Sequence, residues 1–435
     1  MRRARKARDV RAMPPLPTGL VERLSATLGD EAHALLTALD RPPPTSIRLN
    51  PHKPGGPAGT PVPWCTTGRY LDERPLFTVD PLLHAGAYYV QEAGSMLIER
   101  AMAAADLIGA DAIALDLCAA PGGKSTHLLS LLGPGAVVVC NEVDGRRLAV
   151  LRENVWKWGS PNACVTRFPA EAFSALSHFD LVLLDAPCSG EGLMRREPMA
   201  RAQWSFELVR QCSAVQADLL HHAWRALRPG GVLIYSTCTW ADEEDEGQLR
   251  RFLQQHEAEV LSIDPLDNGP SRGALGLTCM PHRCQAEGFF IAAVRKPGTS
   301  DQPVAAGPCT VDGHHLRPPG WAAMPAALRA AIDRSDGALP LTLEIPGGTA
   351  PHPAAACCPE ALELLRTVLP FATVDLDREG ALSFLRGEAI ASTGARGHAL
   401  MSHAGLGLGW AKGAGNRWNN RHPAGWRIRT RRNGV

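Results

Sequence analysis

The stretch LDLCAAPGGKS at residues 115–125 decides the fold prediction. It follows an apolar pattern typical of a strand and runs into THLLSLL at 126–132, a helical pattern. A glycine-rich turn between strand and helix exposes backbone N–H groups and lets a ligand approach the main chain. The sequence therefore predicts a cofactor site at the end of the first strand of an α/β sheet.

The same turn discriminates between three classes of cofactor. A phosphate-binding P-loop requires a glycine at position 118, where this chain has Cys118, and the dinucleotide pattern GxGxxG is absent. S-adenosylmethionine carries no phosphate and needs a looser turn, and Asp116 at the strand end is expected to accept a hydrogen bond from its ammonium group. Glu142 ends the second strand pattern, where an acid can accept both ribose hydroxyls. We therefore predict S-adenosylmethionine as the cofactor.

Strand and helix patterns alternate around this turn, which favours a doubly wound, Rossmann-like α/β sheet that is parallel and carries helices on both faces. The strand patterns lie at 112–117, 136–141, 179–185, 231–237 and 288–295. We predict four regions, namely an N-terminal α+β RNA-binding region (1–100), a catalytic domain (101–297), a Pro- and Gly-rich linker (298–325) and a small C-terminal α+β RNA-binding domain (326–435).

Composition limits the class of protein. The 435 residues carry 45 basic and 44 acidic side chains, and no apolar run is long enough to span a bilayer. The basic start MRRARKARDVR is not followed by an apolar segment, so we expect no secretory signal and either an arm for a polyanion or a solvated start. Twelve scattered cysteines suggest reduced thiols and a cytoplasmic protein. Cys279, His282 and Cys284 lack a second ligand pair nearby, so no metal is predicted.

The C-terminal forty residues form a basic stretch. Residues 396–435 contain eight Lys or Arg and no acid, with Trp410, Trp418 and Trp426 interleaved. Arginine contacts phosphates and indoles stack on bases, so the segment suits RNA. The alternative is a solvated tail whose tryptophans pack on the last domain.

Two cysteines follow two strand patterns, in DAPCSGEG (185–192) and in STCTWADEEDE (236–246). The carboxyl ends of strands line the ligand crevice of such sheets, so Cys188 and Cys238 are expected beside the cofactor's sulfonium. A thiolate near a methyl donor suits methylation at carbon 5 of a pyrimidine, because thiolate addition to carbon 6 makes carbon 5 nucleophilic. Asp185 is expected to bond the ring nitrogen edge, and Lys124 to position the base or stabilise developing charge. The acidic run 242–246 is expected to be the solvated first turn of a helix.

These motifs resemble the NOL/NOP/Sun family of RNA 5-methylcytosine methyltransferases over roughly residues 40–297. The resemblance rests on CAAPGGK (118–124), DAPCSGEG (185–192), YSTCT (235–239) and PH…EGFFIA (281–292). The basic C-terminal segment resembles the appended domain of the bacterial ribosomal RNA small subunit methyltransferase F group.

The resemblance implies a role for each matching residue. Cys238 would be the nucleophile, and Cys188 would assist release of the methylated product. Residues at the glycine turn and two acids would hold the cofactor: Cys118, Ala119, Ala120, Pro121, Gly122, Gly123, Lys124, Glu142 and Asp185. It also implies a monomer that acts on a cytosine of small-subunit ribosomal RNA, free or in the assembling subunit, with no membrane partner.

One position departs from the family, and two other functions stay open. Many members carry an aspartate near the adenine where this chain has Pro169, which offers neither carboxylate nor N–H. The first alternative is a DNA cytosine-5 methyltransferase, which would use Cys188 as nucleophile. The second is a non-catalytic RNA-binding protein of ribosome assembly with a relic cofactor pocket.

Overall fold

The computed structural model describes residues 13–266, 269–300, 309–346 and 348–429. The basic N-terminal arm, together with Arg431 and Arg432 of the C-terminal basic stretch, lies outside the described residues. Across the described ranges, no helix combines the length and the apolar character that a membrane crossing requires.

The N-terminal region forms a helix pair and a small antiparallel sheet in the order β2–β3–β1–β4. Its elements are α1 (Thr18–Leu28), α2 (Ala32–Leu39), β1 (Thr45–Leu49), β2 (Thr60–Val62), β3 (Cys65–Leu71), α3 (Pro81–His84), β4 (Tyr88–Val90) and α4 (Ile98–Ala104). Leucines three or four residues apart give α1 and α2 one apolar face, which packs against Trp204 and Val209 of the next region. The N-terminal helices are thereby fixed to the part of the chain that carries both cysteine motifs.

The central region is built on a nine-stranded sheet. Its strands are β5 (Ile113–Asp116), β6 (Val137–Asn141), β7 (Ala163–Thr166), β8 (Phe179–Asp185), β9 (Leu227–Thr237), β10 (Glu259–Val260), β11 (Ser271–Arg272), β12 (Leu277–Cys279) and β13 (Phe289–Arg295). Its helices are α5 (Gly123–Leu131), α6 (Gly145–Trp158), α7 (Glu171–Ser174), α8 (Pro198–Gln203), α9 (Phe206–Ala226) and α10 (Glu246–Leu253).

The strand order β11–β12–β13–β9–β8–β5–β6–β7 agrees with the predicted doubly wound sheet. Strands β5 to β9 are parallel and almost wholly buried, since α5 and α6 cover one face and α9 and α10 the other. The expectation of a wholly parallel sheet is wrong at β13, which pairs antiparallel with β9. Its antiparallel direction brings the start of β13 beside the end of β9, next to Cys238.

The C-terminal part contains a small five-stranded sheet in the order β19–β21–β22–β23–β20. The strands of the whole C-terminal part are β14 (Thr310–Asp312), β15 (His315–Arg317), β16 (Leu339–Pro340), β17 (Thr342–Ile345), β18 (Gly348–Pro351), β19 (Phe371–Asp375), β20 (Ile390–Ala395), β21 (His398–His403), β22 (Leu406–Gly413) and β23 (Gly415–Asn420). Its helices are α11 (Ala326–Arg334), α12 (Pro359–Val368) and α13 (Arg378–Leu385). Strands β14 and β15 lie within the stretch predicted as linker and pair with β16.

Of the two interpretations of the C-terminal tryptophans, packing on the last domain holds for Trp410 and Trp418. Trp410 and Trp418 are buried in the core, where burial of a side chain of this size contributes about 2–3 kcal/mol. Trp426 is half-exposed, but Lys157 Nζ lies 5.4 Å from its ring centre. Within the described part of the basic stretch (396–429), the exposed cations are Arg396, Lys412, Arg417, Arg421 and Arg429.

Candidate active site

A cavity of about 400 Å³ opens at the carboxyl ends of β5, β8 and β9. The predicted site residues that line this cavity are Cys118, Ala119, Ala120, Pro121, Gly123, Lys124, Asp185 and Cys238. The lining also includes Asp116 and, from the N-terminal region, Tyr89 and Gln91. Gly122, Glu142 and Cys188 do not line the cavity themselves, but each is next in sequence to, or in contact with, a residue that does. The structure thus brings the glycine turn and both cysteine motifs to one edge of the sheet.

The turn between β5 and α5 depends on its glycines. Gly122 has φ +109°, a conformation that residues with a side chain rarely adopt, and a Cβ atom there would lie 3.3 Å from Leu151 Cδ1. α5 begins at the next residue, Gly123, where a Cβ atom would lie 3.3 Å from the Tyr89 ring. The main chain therefore borders the cavity closely, and α5 directs its N-terminus toward it.

Asp116 carries an unpartnered oxygen beside this turn. Its Oδ2 accepts a 2.6 Å hydrogen bond from Ser125 Oγ, whereas Oδ1 is buried without a hydrogen-bond partner. Burial raises the pKa of this carboxyl to about 7. A cationic ligand would supply the missing partner, so the position fits the ammonium group of S-adenosylmethionine.

Glu142 is buried next to the same turn. Its Oε1 accepts a 2.9 Å hydrogen bond from the Asp144 amide, and its Oε2 lies 3.3 Å from Arg147 Nη1 without hydrogen-bond geometry. Arg147 also donates to the Ala120 carbonyl at 2.7 Å, which ties α6 to the turn. The second carboxylate oxygen therefore retains the capacity to accept from a hydroxyl group.

Pro169 lies outside this set. It is exposed, it does not line the cavity, and its carbonyl accepts the Ala172 amide at 3.1 Å at the start of α7. Asn141, at the end of β6, instead fixes the neighbouring loop by accepting the Phe168 amide at 2.9 Å and donating to the Phe168 carbonyl at 2.9 Å. Here the proline starts a helical turn and contributes no side chain to the cavity.

The two thiols lie side by side. Cys188 Sγ is 3.1 Å from Cys238 Sγ and also accepts a contact from the Cys238 amide at 3.3 Å. Both residues are half-buried. The Cys238 thiol and then burial raise the pKa of Cys188 well above its usual value. Of the two sulfurs, Cys238 faces the cavity and Cys188 sits behind it.

Lys124 and Asp185 form an ion pair across the cavity floor. Lys124 Nζ is 2.7 Å from Asp185 Oδ2, and Ser236 Oγ donates to Asp185 Oδ1 at 2.9 Å. Although burial opposes it, the Asp185 carboxylate raises the pKa of Lys124. The ammonium also lies 5.0 Å from the centre of the Phe289 ring. Lys124 is therefore a cation held in place near the Cys238 thiol.

A buried glutamate that sequence reasoning assigned no role holds the two cysteine loops together. Glu191, in the DAPCSGEG motif, accepts hydrogen bonds from Arg23 Nη2 at 2.7 Å, Trp204 Nε1 at 2.8 Å and the Trp240 amide at 3.0 Å. The adjacent Gly192 amide donates to the Cys238 carbonyl at 2.9 Å. Arg23, on the N-terminal helix α1, thus holds Glu191, and the 191–192 segment in turn bonds the backbone at Cys238 and Trp240.

The expectation that the acidic run 242–246 is solvated is wrong for two of its members. Glu244 Oε2 accepts from the Ser189 amide and from Gln216 Nε2, both at 2.9 Å. Asp245 Oδ1 accepts from Thr237 Oγ1 at 2.5 Å. Burial raises the pKa of both carboxyls. These acids cross-link the two cysteine loops, and α10 begins only at Glu246.

Replacing Arg23 by Ala should destabilise the protein, because it removes the charge partner of a fully buried glutamate. Glu191 keeps its bonds to Trp204 and Trp240, so we expect a loss of about 2 kcal/mol in the free energy of unfolding. Urea denaturation curves of the unchanged protein and the variant measure this loss in the free energy of unfolding. Arg210→Ala, which breaks the exposed pair with Glu207, is the control and should leave the free energy of unfolding nearly unchanged. Equal losses in the two variants would contradict the bracing role.

The described residues contain one group of three metal-type ligands, Cys65, Glu99 and His127, with donor atoms within 4.8 Å of one another. Cys279, His282 and Cys284 form no such group there. His282 Nε2 instead lies 3.2 Å from Glu31.

Three family models match consecutive parts of the chain. The family model described as 16S rRNA methyltransferase RsmB/F matches residues 108–295. The N-terminal domain of 16S rRNA methyltransferase RsmF matches 16–93, and the methyltransferase RsmF PUA domain matches 371–428. All three match in chain order.

Curated relatives cover part of the chain. A ribosomal RNA small subunit methyltransferase F from Pectobacterium atrosepticum is 37% identical over 287 residues, 61% of this chain and 59% of the relative. One from Aeromonas salmonicida is 39% identical over 247 residues, 54% of this chain and 52% of the relative. The chain therefore spans less than two thirds of the length of the relatives it matches.

Solved structures share the fold. A methyltransferase homologue from Pyrococcus horikoshii, 29% identical, superposes with a TM-score of 0.55 over 63% of this chain and 93% of that one. NSun6 from the same organism, 20% identical, gives 0.56 over 66% of this chain and 100% of that one, which supports the fold alone. The N-terminal, catalytic and C-terminal parts of the chain are thus each similar, in chain order, to a part of the RsmB/F and RsmF methyltransferases.

Proposed function

We propose that this protein transfers a methyl group from S-adenosylmethionine to carbon 5 of a cytosine in small-subunit ribosomal RNA, through a covalent adduct on Cys238. The observation that carries the proposal is the pair of thiols 3.1 Å apart, of which Cys238 lines the same cavity as the glycine turn. A methyltransferase acting on oxygen or nitrogen needs no thiol at this place, whereas carbon 5 of a pyrimidine must first be activated by a nucleophile.

The residues around the cavity divide the work. Asp116, the 118–124 turn and Glu142 would hold the cofactor, which supplies an electrophilic methyl group when bound. Cys238 adds its sulfur to carbon 6, and Lys124 stabilises the negative charge that develops on the ring. Asp185 holds Lys124 in place. After methyl transfer the Cys238 sulfur is bonded to carbon 6 and no longer raises the pKa of Cys188, so Cys188 assists removal of the carbon 5 proton, which expels the Cys238 thiolate.

We propose the same division for the whole chain, with the catalytic domain at 101–297 and RNA-binding parts at 1–100 and 326–435, except that β14 and β15 of the predicted linker (298–325) pair with β16 and so belong with the C-terminal part. The exposed cations of the last part support it, because Arg and Lys side chains supply the sequence-independent phosphate contacts of nucleic-acid binding. The curated relatives are named as methyltransferases of small-subunit ribosomal RNA.

The two alternatives differ in measurable ways. A DNA cytosine-5 methyltransferase would use Cys188, but that residue does not line the cavity, whereas Cys238 does. A relic pocket would have no need of the Lys124–Asp185 pair or of the unpartnered Asp116 oxygen. Bisulfite mapping of ribosomal RNA from cells with and without the protein tests the proposal. A cytosine that is methylated only when the protein is present supports it, and identical maps would refute it.

Cofactor affinity should depend on pH through Asp116. Its pKa of about 7 lies above the usual 3.8, so the free protein holds a proton there between about pH 4 and 7. A bound ammonium favours the ionised form, and binding below pH 7 must therefore release that proton. We expect the affinity for S-adenosylhomocysteine to rise between pH 5.5 and 7, by at most about tenfold per pH unit, and to level off above.

Isothermal titration at pH 5.5, 6.5 and 7.5 measures this dependence. The control is Asp116→Asn, which should bind more weakly at pH 7.5 and lose most of the variation with pH. A pH profile that is the same in Asp116→Asn and in the unchanged protein would contradict this role of Asp116.

A further inference from the structure

Glu287 is a buried carboxyl that the mechanism above does not use. It precedes β13, is 2% exposed and lines the cavity together with Cys238, Lys124 and Asp185. Neither of its side-chain oxygens has a hydrogen-bond partner. The nearest cation, Arg196 Nε, is 3.4 Å from Oε2 without hydrogen-bond geometry. A carboxyl that is removed from water and left without a hydrogen-bond partner costs free energy unless a ligand completes it.

The backbone holds this carboxyl firmly in place. The Glu287 amide donates to Glu92 Oε1 at 2.8 Å, and Glu92 is itself fixed by the amides of Gly94 and Ser95 at 2.8 and 2.9 Å. The next residue, Gly288, packs so closely on Trp240 that a Cβ atom would lie 2.4 Å from the indole. Glu287 is therefore held next to the loop that carries Cys238.

Its surroundings favour the neutral acid. Burial, opposed by Arg196 and Arg195 and reinforced by the carboxylates of Glu92 and Glu197, raises the pKa of Glu287 to about 7. A neutral carboxyl presents one O–H donor and one acceptor side by side. Asp185 has no such freedom, since one oxygen is paired with Lys124 and the other accepts from Ser236.

We propose that Glu287 recognises the target cytosine by donating to its N3 atom and accepting from its N4 amino group. Cytosine presents an acceptor and a donor at these two positions, and uracil presents the reverse. The inference rests on the proposed function and adds to it the group that distinguishes the two bases. The cavity that opens beside Glu287, lined also by Arg74 and Arg196, gives the RNA chain access to this carboxyl.

The pairing also serves the chemical step. When the Cys238 sulfur bonds to carbon 6, the electron pair of the C5–C6 double bond shifts through carbon 4 to N3, which receives the Glu287 proton. When carbon 5 bonds to the methyl group, that pair leaves N3 and the proton returns to Glu287. Loss of the carbon 5 proton then breaks the S–C6 bond, so Glu287 ends in its starting state.

Two substitutions test the assignment on a ribosomal RNA transcript that contains the mapped cytosine. Glu287→Ala should lower kcat/KM by about 10²–10³-fold with RNA and S-adenosylhomocysteine affinities within about threefold. Glu287→Gln keeps the donor and acceptor but has no transferable proton, so it should retain more activity and lose the decline in rate that Glu287 ionisation causes above pH 7. Glu207→Gln removes an exposed acid on α9 that lines neither cavity, and it should match the unchanged protein.

Base discrimination provides a readout that a purely structural role would not change. We compare how well two unlabelled transcripts compete with the labelled substrate. The transcript with uracil at the target should compete about tenfold more weakly than the cytosine transcript for the unchanged protein, and about equally well for Glu287→Ala. If the unchanged protein makes no 5-methylcytosine, the proposed function fails. If it does, and Glu287→Ala turns over and discriminates normally, only the assignment of Glu287 is overturned. Glu287→Gln with the pH profile of the unchanged protein would overturn it as well.

Discussion

Cys238→Ala should abolish methyl transfer and leave RNA binding intact. The substitution removes the only sulfur among the described residues that both lines the cavity and lies at the end of β9. Without addition to carbon 6, carbon 5 is not nucleophilic, and a single-turnover rate at least about 10³-fold lower is expected. RNA affinity should change by less than about twofold, because phosphate contacts made elsewhere on the surface supply most of it. Transfer of a labelled methyl group and filter binding measure the two quantities.

The matched control is Cys212→Ala, which removes a half-buried thiol on α9 outside the cavity and should leave the rate unchanged. Turnover by Cys238→Ala at more than a few per cent of the normal rate would defeat the covalent mechanism. Loss of turnover accompanied by loss of S-adenosylhomocysteine binding would instead indicate a damaged pocket. The cofactor titration therefore belongs in the same experiment.

The position of the site was predictable because it follows from the direction of the strands. Asp116, Cys188 and Cys238 each stand at or just past the carboxyl end of a strand, and parallel neighbours bring such ends together. The apolar runs that end there, such as LVLLD at 181–185 and VLIYST at 232–237, are buried almost throughout, so their pattern is strong. The glycine turn is also explicit in the sequence, since Gly122 requires a backbone conformation that few other residues adopt.

The support of the site was not predictable, because it depends on contacts between distant segments. Arg23 and Glu191 are 168 residues apart, and nothing in either local pattern indicates that they pair. Glu244 and Asp245 resemble the polar first turn of a helix, but the two cysteine loops fold over them. Trp410 and Trp418 resemble stacking residues until the small sheet closes around them. In each case tertiary packing overrides the local pattern.

Glu287 falls between these two cases. In the sequence Glu287 is only the first residue of the EGFFIA motif, with no indication of its partners. Its position beside Cys238 follows from the antiparallel pairing of β13 with β9. The reversed strand brings the residues before Phe289 to the same edge as the residues after Thr237. A wholly parallel sheet would have placed them at the opposite end, far from the cavity.

Cys188→Ala should accumulate a covalent complex between the protein and its RNA. Its sulfur lies 3.1 Å from that of Cys238, close enough to act on the adduct but behind the sulfur that forms it. Addition and methyl transfer need only Cys238, whereas removal of the carbon 5 proton needs a base, whose loss costs about 10²–10⁴-fold. We therefore expect one rapid methyl transfer, then turnover slowed by that factor, and a band that denaturing electrophoresis retards and ribonuclease abolishes.

The single variants decide which sulfur carries the adduct, and their control is the double variant Cys188→Ala/Cys238→Ala. It should form no retarded band, because the nucleophile is gone. The DNA-type alternative makes the opposite prediction: Cys188→Ala alone would then form no adduct, and Cys238→Ala would keep forming one. Since Cys188 also accepts a contact from the Cys238 amide, Cys188→Ser serves as the more conservative substitution. Serine fills the same space with a hydroxyl of much higher pKa, so a band in both Cys188 variants assigns the stall to lost base chemistry and not to a shifted loop.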